Sequence, residues 1–141
     1  MHKTFLISIF ILFLASCSKD KFNTTPSLKY KSVNKNVIGR NQGDIVFTLS
    51  FTDKEGDLGD LVIVKTEPVC ANSNFVAPYP VPQFPTGKNQ DGDILVTFTY
   101  DDISPKCAPR NDTAIFKFVL KDKAQNISDT TASEPIVIIS N

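Results

Sequence analysis

Four carboxylates stand close together in the eight residues from Asp53 to Asp60. They belong to Asp53, Glu55, Asp57 and Asp60, and glycines lie between them. Hard cations such as calcium take several oxygen ligands from short, glycine-containing loops. The segment is therefore a candidate calcium site. The alternative is a solvated turn, because aspartate and glycine are also common turn residues.

The spacing of these carboxylates does not match the EF-hand calcium loop. If Asp53 is position one, position six is Leu58 instead of glycine, and position twelve is Val64 instead of glutamate. The sharp turn and the bidentate ligand of an EF-hand are both missing. A calcium site here would need oxygens from another part of the chain.

Paired carboxylates can also serve as the acid and base of a glycosidase, so a carboxylate-dependent hydrolase is an alternative. Such pairs lie in a substrate cleft with an apolar pocket that raises the pKa of one carboxyl group. A turn of exposed acidic residues offers no such pocket. We therefore expect no catalytic residues and no enzymatic activity.

The segment from Phe75 to Phe84 combines three prolines with the aromatic residues Phe75, Tyr79 and Phe84. Proline stiffens the chain, so the rings could contact a partner at low entropic cost. Alternatively, the rings pack over an edge of the fold as a satellite core. Proline cannot donate to a strand ladder, so we expect a long loop or an irregular sheet edge in this region.

Residues 1–16 have the composition of a secretory signal peptide. Lys3 precedes the apolar stretch Phe5 to Phe13, which is too short to span a membrane stably. The stretch leads into Leu14-Ala15-Ser16-Cys17, which resembles the lipobox of bacterial lipoproteins. The resemblance implies cleavage before Cys17 and lipidation of that cysteine, and Ser18 after it favours the outer membrane. It leaves open whether the protein faces the periplasm or the cell surface.

Loss of this signal peptide excludes several classes of chemistry. His2 is the only histidine, so the exported chain lacks a histidine base for catalysis and a histidine ligand for zinc or haem. The chain also loses Lys3, one of its 15 basic residues, and none of its 15 acidic residues. The resulting slight negative charge gives no basic field for binding nucleic acid.

Cys70 and Cys107 are the two cysteines that remain after lipidation of Cys17. An even pair in an oxidising, exported compartment predicts a disulfide between them. The alternative is two separate buried thiols.

Apolar residues recur at every second position in several segments, which predicts half-buried β-strands. These segments are Leu28–Ser32, Ile45–Phe51, Ile94–Tyr100, Ala114–Leu120 and Ile136–Ile138. No segment shows a helical period with helix caps around it. We therefore predict an all-β protein. Residues 17–26 would form the lipidated cysteine and a flexible tether, and residues 27–141 a single immunoglobulin-like antiparallel β-sandwich.

Two segments resemble patterns of immunoglobulin-like or cadherin-like domains in bacterial surface lipoproteins. The first is Asp44–Gly59, which contains the pattern F-x-D-x-x-G-D-L-G, and the second is Phe118–Ser128, which contains D-x-A-x-N-x-S. The second departs from the pattern at Gln125, where glycine is usual. A cadherin-like calcium site would add Asp122 and Asn126 to the acidic segment.

An immunoglobulin-type strand order makes this combination geometrically consistent. If Val96 to Tyr100 belongs to the fifth strand, the acidic segment and the loop after Leu120 share one pole of the sandwich. The same order brings Cys70 and Cys107 together at the opposite pole. The shared acidic pole and the disulfide thus support one topology.

These observations predict a lipid-anchored, non-enzymatic binding or accessory module of an outer-membrane or cell-envelope assembly. Its partners would be the membrane, through the lipid on Cys17, and an envelope protein. The alternative is a calcium-stabilised adhesion domain on the cell surface.

Overall fold

The computed structural model describes residues 23–82, 87–107 and 109–140. The predicted signal peptide, the lipidation site Cys17 and the aromatic residue Phe84 lie outside these ranges. The described strands are β1 (Ser27–Val33), β2 (Val37–Ile38), β3 (Ile45–Asp53), β4 (Leu58–Thr66), β5 (Phe75–Pro80), β6 (Gln90–Phe98), β7 (Asp112–Asp122), β8 (Thr131–Ala132) and β9 (Ile136–Ile138).

Two sheets contain these strands. The first has the order β1-β3-β6, and the second has the order β2-β9-β7-β4-β5, with β8 paired to β7. The long pairs are antiparallel, and only the two-residue pair of β2 and β9 is parallel among the described strands. The prediction of an all-β sandwich is confirmed.

The core lies between the sheets because alternate residues of the long strands point inward. In β3 every second residue from Ile45 to Asp53 is buried, as the period of two requires. Phe47 meets Phe116 and Phe118 of β7 at ring-centroid distances of 4.8 and 5.4 Å. Among the described residues, the core cluster extends from Leu28 to Ile138.

The proline-rich region contains the edge strand β5, which pairs with β4. Pro78 and Pro80 lie opposite Val62 and Asp60 in this pairing. An edge strand tolerates proline where the missing N–H would have faced solvent. The expected irregular edge is therefore a short edge strand in the described part of the region.

The end of β6 differs from the prediction. Tyr100 was expected in the strand, but β6 ends at Phe98 and Tyr100 begins the short helix α1 (Tyr100–Ile103). The side chain of Thr99 accepts a hydrogen bond from the N–H of Asp102, and the Asp102 carboxylate accepts one from the N–H of Thr99. This capping box stops the strand and starts the helix.

The helices in the described ranges are the four-residue α1 and a 3-10 turn, Ala71–Ser73. Neither they nor any other helix in those ranges has the length and apolar character needed to cross a membrane.

Candidate functional site

The turn between β3 and β4, the loop after β7 and the start of the described chain meet at one end of the sandwich, here called the acidic pole. The N–H of Lys123 donates to the carbonyl of Asp57 at 2.9 Å, which joins the two loops. The N–H of Lys54 donates to the carbonyl of Asn23 at 3.2 Å. These backbone bonds fix the positions from which the acidic side chains project.

Three carboxylates converge at the acidic pole. Glu55, Asp57 and Asp122 each offer one oxygen, and these oxygens all lie within 4.8 Å of one another. Calcium binds oxygens at up to about 2.6 Å, so two ligands on opposite sides of one ion can be about 5.2 Å apart. The three oxygens therefore fit around a single calcium ion.

Asp53 supplies a second observation at this pole, a buried carboxylate oxygen without a hydrogen-bond donor. Its side chain is 0% exposed, and its Oδ2 accepts a hydrogen bond from the N–H of Asp57 at 3.0 Å. Its Oδ1 and the Oδ1 of Asp57 are buried without a hydrogen-bond partner among the described residues. Buried oxygens without donors destabilise a fold unless a cation or a water molecule satisfies them.

Asp122, the last residue of β7, is held in place by its own loop. Its carboxylate accepts hydrogen bonds from the N–H of Asn126 at 2.7 Å and from the side-chain amide of Asn126 at 2.6 Å. Gln125 has a φ of 69°, in the left-handed region that favours glycine. The loop thus keeps its tight turn although glutamine replaces the glycine of the related pattern, and it orients Asp122 toward the acidic segment.

Gly56 allows the acidic turn to pack closely against the chain before β6. Its φ is 70°, and a Cβ atom at this position would lie 1.9 Å from the carbonyl oxygen of Gly87. The N–H of Asn89 donates to the carbonyl of Lys54 at 2.8 Å in the same contact. Only glycine combines this backbone conformation with so close an approach.

Only three of the six predicted calcium ligands therefore converge on one point. Glu55, Asp57 and Asp122 converge, Asp53 accepts a hydrogen bond from the N–H of Asp57, and Asn126 donates to Asp122. Asp60 is exposed in β4, opposite Pro80, and is not part of the three-carboxylate group.

The opposite end of the sandwich, here called the disulfide pole, contains the Cys70–Cys107 disulfide, with a Cα–Cα distance of 5.6 Å. The prediction of this disulfide is confirmed. The carboxylate of Asp112 accepts hydrogen bonds from the N–H of Cys70 and from the N–H of Thr113, the second at 2.7 Å. Asp112 thus fastens the start of β7 to the disulfide.

A buried ion pair beside the disulfide was not predicted from the sequence. Lys65 and Glu67 are each 1% exposed, and the Lys65 Nζ lies 2.5 Å from a carboxylate oxygen of Glu67. The same Nζ donates to the carbonyls of Ile103 at 2.6 Å and Ser73 at 3.4 Å. Burial lowers the pKa of Lys65 below its ordinary value, and the negative charges of Glu67 and Asp112 oppose this effect.

Oxygen or sulfur atoms of Glu67, Cys70 and Asp112 also lie within 4.8 Å of one another. This group differs from the one at the acidic pole because a buried lysine supplies its counter-charge, although neither carboxylate oxygen of Glu67 has a hydrogen-bond partner among the described residues. The Cys70 sulfur is bonded to Cys107, and Glu67 forms an ion pair with Lys65. The Asp112 carboxylate accepts hydrogen bonds from the N–H groups of Cys70 and Thr113. We assign this group a structural role.

The aromatic residues of the proline-rich segment contact the rest of the sandwich. Phe75 and Tyr79 are half-buried and pack against the core, with the Phe75 and Phe98 rings 6.1 Å apart. The hydroxyl of Tyr79 donates to the carbonyl of Leu95 in β6 at 3.5 Å. These contacts fit the satellite-core alternative, and partner binding at Phe75, Tyr79 and Phe84 stays a prediction.

Comparison with known proteins adds no family assignment. No protein-family model and no curated protein matches this chain.

Proposed function

We propose that this chain is a lipid-anchored, non-enzymatic module of the bacterial envelope whose fold is completed by a calcium ion at the acidic pole. The observation that carries the calcium site is the convergence of Glu55, Asp57 and Asp122, and the buried carboxylate oxygens of Asp53 and Asp57 that lack a hydrogen-bond partner among the described residues support it. The anchor rests on the lipobox-like sequence that ends in Cys17. Calcium would act as a structural ion.

The chemistry of the ligands favours calcium over transition metals. Every candidate ligand atom is a carboxylate oxygen, which suits hard cations. Magnesium binds at about 2.1 Å and demands a near-ideal octahedron, so an irregular group of exposed and buried carboxylates suits calcium better. Glu55 is exposed while Asp122 is buried, so the site would open to solvent on one side.

A non-enzymatic role is supported by the surroundings of the carboxylates. Glu55 and Asp57 line a surface depression beside Thr24, Lys54 and Lys88, whereas a hydrolase would need an apolar pocket around one acid. The accessory-module reading requires neither calcium nor surface exposure, whereas the adhesion alternative requires both. Protease treatment of intact cells separates them, because only a surface-exposed chain is cut.

The test is the thermal unfolding of residues 23–141 with millimolar calcium and with excess chelator. Calcium at about a hundredfold above its Kd adds roughly 2.7 kcal/mol, which for a domain of this size raises the melting temperature by the order of 10 °C. Asp57→Asn should abolish the shift. It should also stabilise the chain in chelator, because it relieves repulsion between carboxylates.

Asp60→Asn is the matched control. This substitution removes one acidic charge from the same segment, at a residue outside the three-carboxylate group. Calcium should therefore raise the melting temperature of this variant as much as that of the unmodified chain. If calcium does not raise the melting temperature of the unmodified chain, or if the two variants respond alike, the calcium site is wrong and the acidic segment is a solvated turn.

A further inference from the structure

Two lysines share a surface depression with the candidate calcium ligands. The depression has a volume of about 410 Å³ and is lined by Thr24, Lys54, Glu55, Asp57 and Lys88. Lys54 and Lys88 are exposed, and within residues 23–82, 87–107 and 109–140 neither ammonium group has an ion-pair partner. The depression therefore has two ammonium groups that form no ion pair with its own carboxylates.

The charge of this depression depends on a bound cation. The four carboxylates of Asp53, Glu55, Asp57 and Asp122 outnumber the three ammonium groups of Lys54, Lys88 and Lys123 at this pole, so the unloaded pole has an excess of negative charge that repels anions. A divalent cation bound to the carboxylates offsets this excess of negative charge. Calcium takes six to eight oxygen ligands, and the three converging carboxylates leave positions open on the side of the exposed Glu55. The loaded pole can therefore accept anionic oxygens.

The described part of the chain begins at this same pole. Asn23 is hydrogen-bonded to Lys54 through its carbonyl, and the predicted lipidation site Cys17 is six residues earlier. Six residues span at most about 22 Å when fully extended. An anchor on Cys17 would thus keep the acidic pole within this distance of the membrane surface.

We propose that the calcium-loaded acidic pole docks onto phosphate-bearing lipid headgroups of the membrane that anchors the chain. The ion takes phosphate oxygens at its open positions, and Lys54 and Lys88 pair with the same or neighbouring phosphates. The proposal rests on the proposed function, because it needs both the ion and the anchor. Each contact is weak alone, but the short tether supplies a high effective concentration of headgroups.

Co-sedimentation of residues 23–141 with lipid vesicles tests this docking. This chain contains the described core cluster and both disulfide cysteines but excludes the tether residues Lys19 and Lys21, which would bind anionic lipid by themselves. Vesicles of phosphatidylglycerol in phosphatidylcholine are compared with vesicles of phosphatidylcholine alone, each in calcium and in chelator. We expect sedimentation only with phosphatidylglycerol and calcium together.

The variant Lys54→Gln with Lys88→Gln separates the lysine contacts from the calcium site. It should keep the calcium shift in melting temperature but bind vesicles roughly 25-fold more weakly, since each lysine near an anionic surface contributes a factor of about five. The matched control is Lys106→Gln with Arg110→Gln, two exposed residues near the disulfide. The control should bind as the unmodified chain does.

The outcomes distinguish this inference from the proposed function. Absence of a calcium shift in the unmodified chain overturns the proposed function and the docking with it. A calcium shift without binding to phosphatidylglycerol vesicles overturns the docking alone. Equal binding to both kinds of vesicle, or unchanged binding of the Lys54 and Lys88 variant, overturns it as well.

Discussion

The two poles of the sandwich both bury acidic side chains but neutralise them by different means. At the disulfide pole, Glu67 pairs with Lys65, and Asp112 accepts hydrogen bonds from the N–H groups of Cys70 and Thr113. At the acidic pole, Asp53 is buried with one oxygen that lacks a donor among the described residues. Glu67 also has buried oxygens without a hydrogen-bond partner, but an ammonium group lies beside them, whereas Asp53 has no ion-pair partner among the described residues.

If the acidic pole binds calcium as proposed, only the stability of that pole depends on the calcium concentration. The ion pair and the disulfide hold their pole in any calcium concentration. The acidic pole would become rigid only when a cation arrives, because unpaired carboxylates near one another repel. Perturbing each pole in turn should therefore produce different responses to calcium.

The largest effect is expected from Lys65→Met, which leaves the Glu67 carboxylate buried without a counter-charge. Removing one partner of a buried pair costs about 3 to 5 kcal/mol of unfolding free energy, measured by urea denaturation. Replacing both residues, Lys65→Met with Glu67→Leu, should recover most of the loss because no charge then stays buried. A loss under about 1 kcal/mol in the single variant would show that the pair is not needed to neutralise this pole.

A somewhat smaller loss is expected from Cys70→Ser with Cys107→Ser. The disulfide joins residues 37 positions apart, for which chain entropy predicts about 3 to 4 kcal/mol, less where prolines already stiffen the loop. Since the disulfide is far from the acidic residues, the calcium shift in melting temperature should be unchanged in this variant. Loss of that shift would mean that the two poles are coupled. Reducing agent, as a control, should destabilise the unmodified chain but not the variant.

The smallest effect, but the most local one, is expected from Gly56→Ala. The left-handed conformation costs alanine about 1 to 2 kcal/mol, and the contact with the Gly87 carbonyl must also open. The acidic turn should shift, so calcium affinity should fall together with stability. Gly43→Ala is the control, because its φ is 74° but the nearest atom is the flexible end of Lys35 at 3.7 Å. It should lose stability without losing calcium affinity, and an equal calcium response in the two variants would contradict the role of Gly56.

The alternation of apolar residues was sufficient to predict the sandwich, and strand order was sufficient to place Cys70 and Cys107 at one pole. The parallel pair of β2 and β9 has only two residues on each side, too few for periodicity to reveal. The helix after β6 had a local signal, the Thr99 to Asp102 capping box, which the strand-like alternation ending at Tyr100 obscured.

The buried ion pair shows why part of the site chemistry could not be predicted. The alternation of Leu61 and Ile63 continues through Lys65 and Glu67, so the pattern did point these side chains inward. Burial of a lysine is stable only with acceptors, and two of those acceptors are the carbonyls of Ser73 and Ile103, which are distant in sequence from each other. Their proximity depends on the complete fold.

The prolines of β5 affect whether copies of the chain can associate through this sheet edge. Pro78 and Pro80 lack the N–H groups that a neighbouring strand would need at this sheet edge. For a chain held at a membrane, copies diffuse in two dimensions and collide often with similar orientation, conditions that promote strand exchange between sheet edges. Because this edge lacks donors, strands of neighbouring copies should not pair with it, and the copies should remain separate molecules even at high density on the membrane.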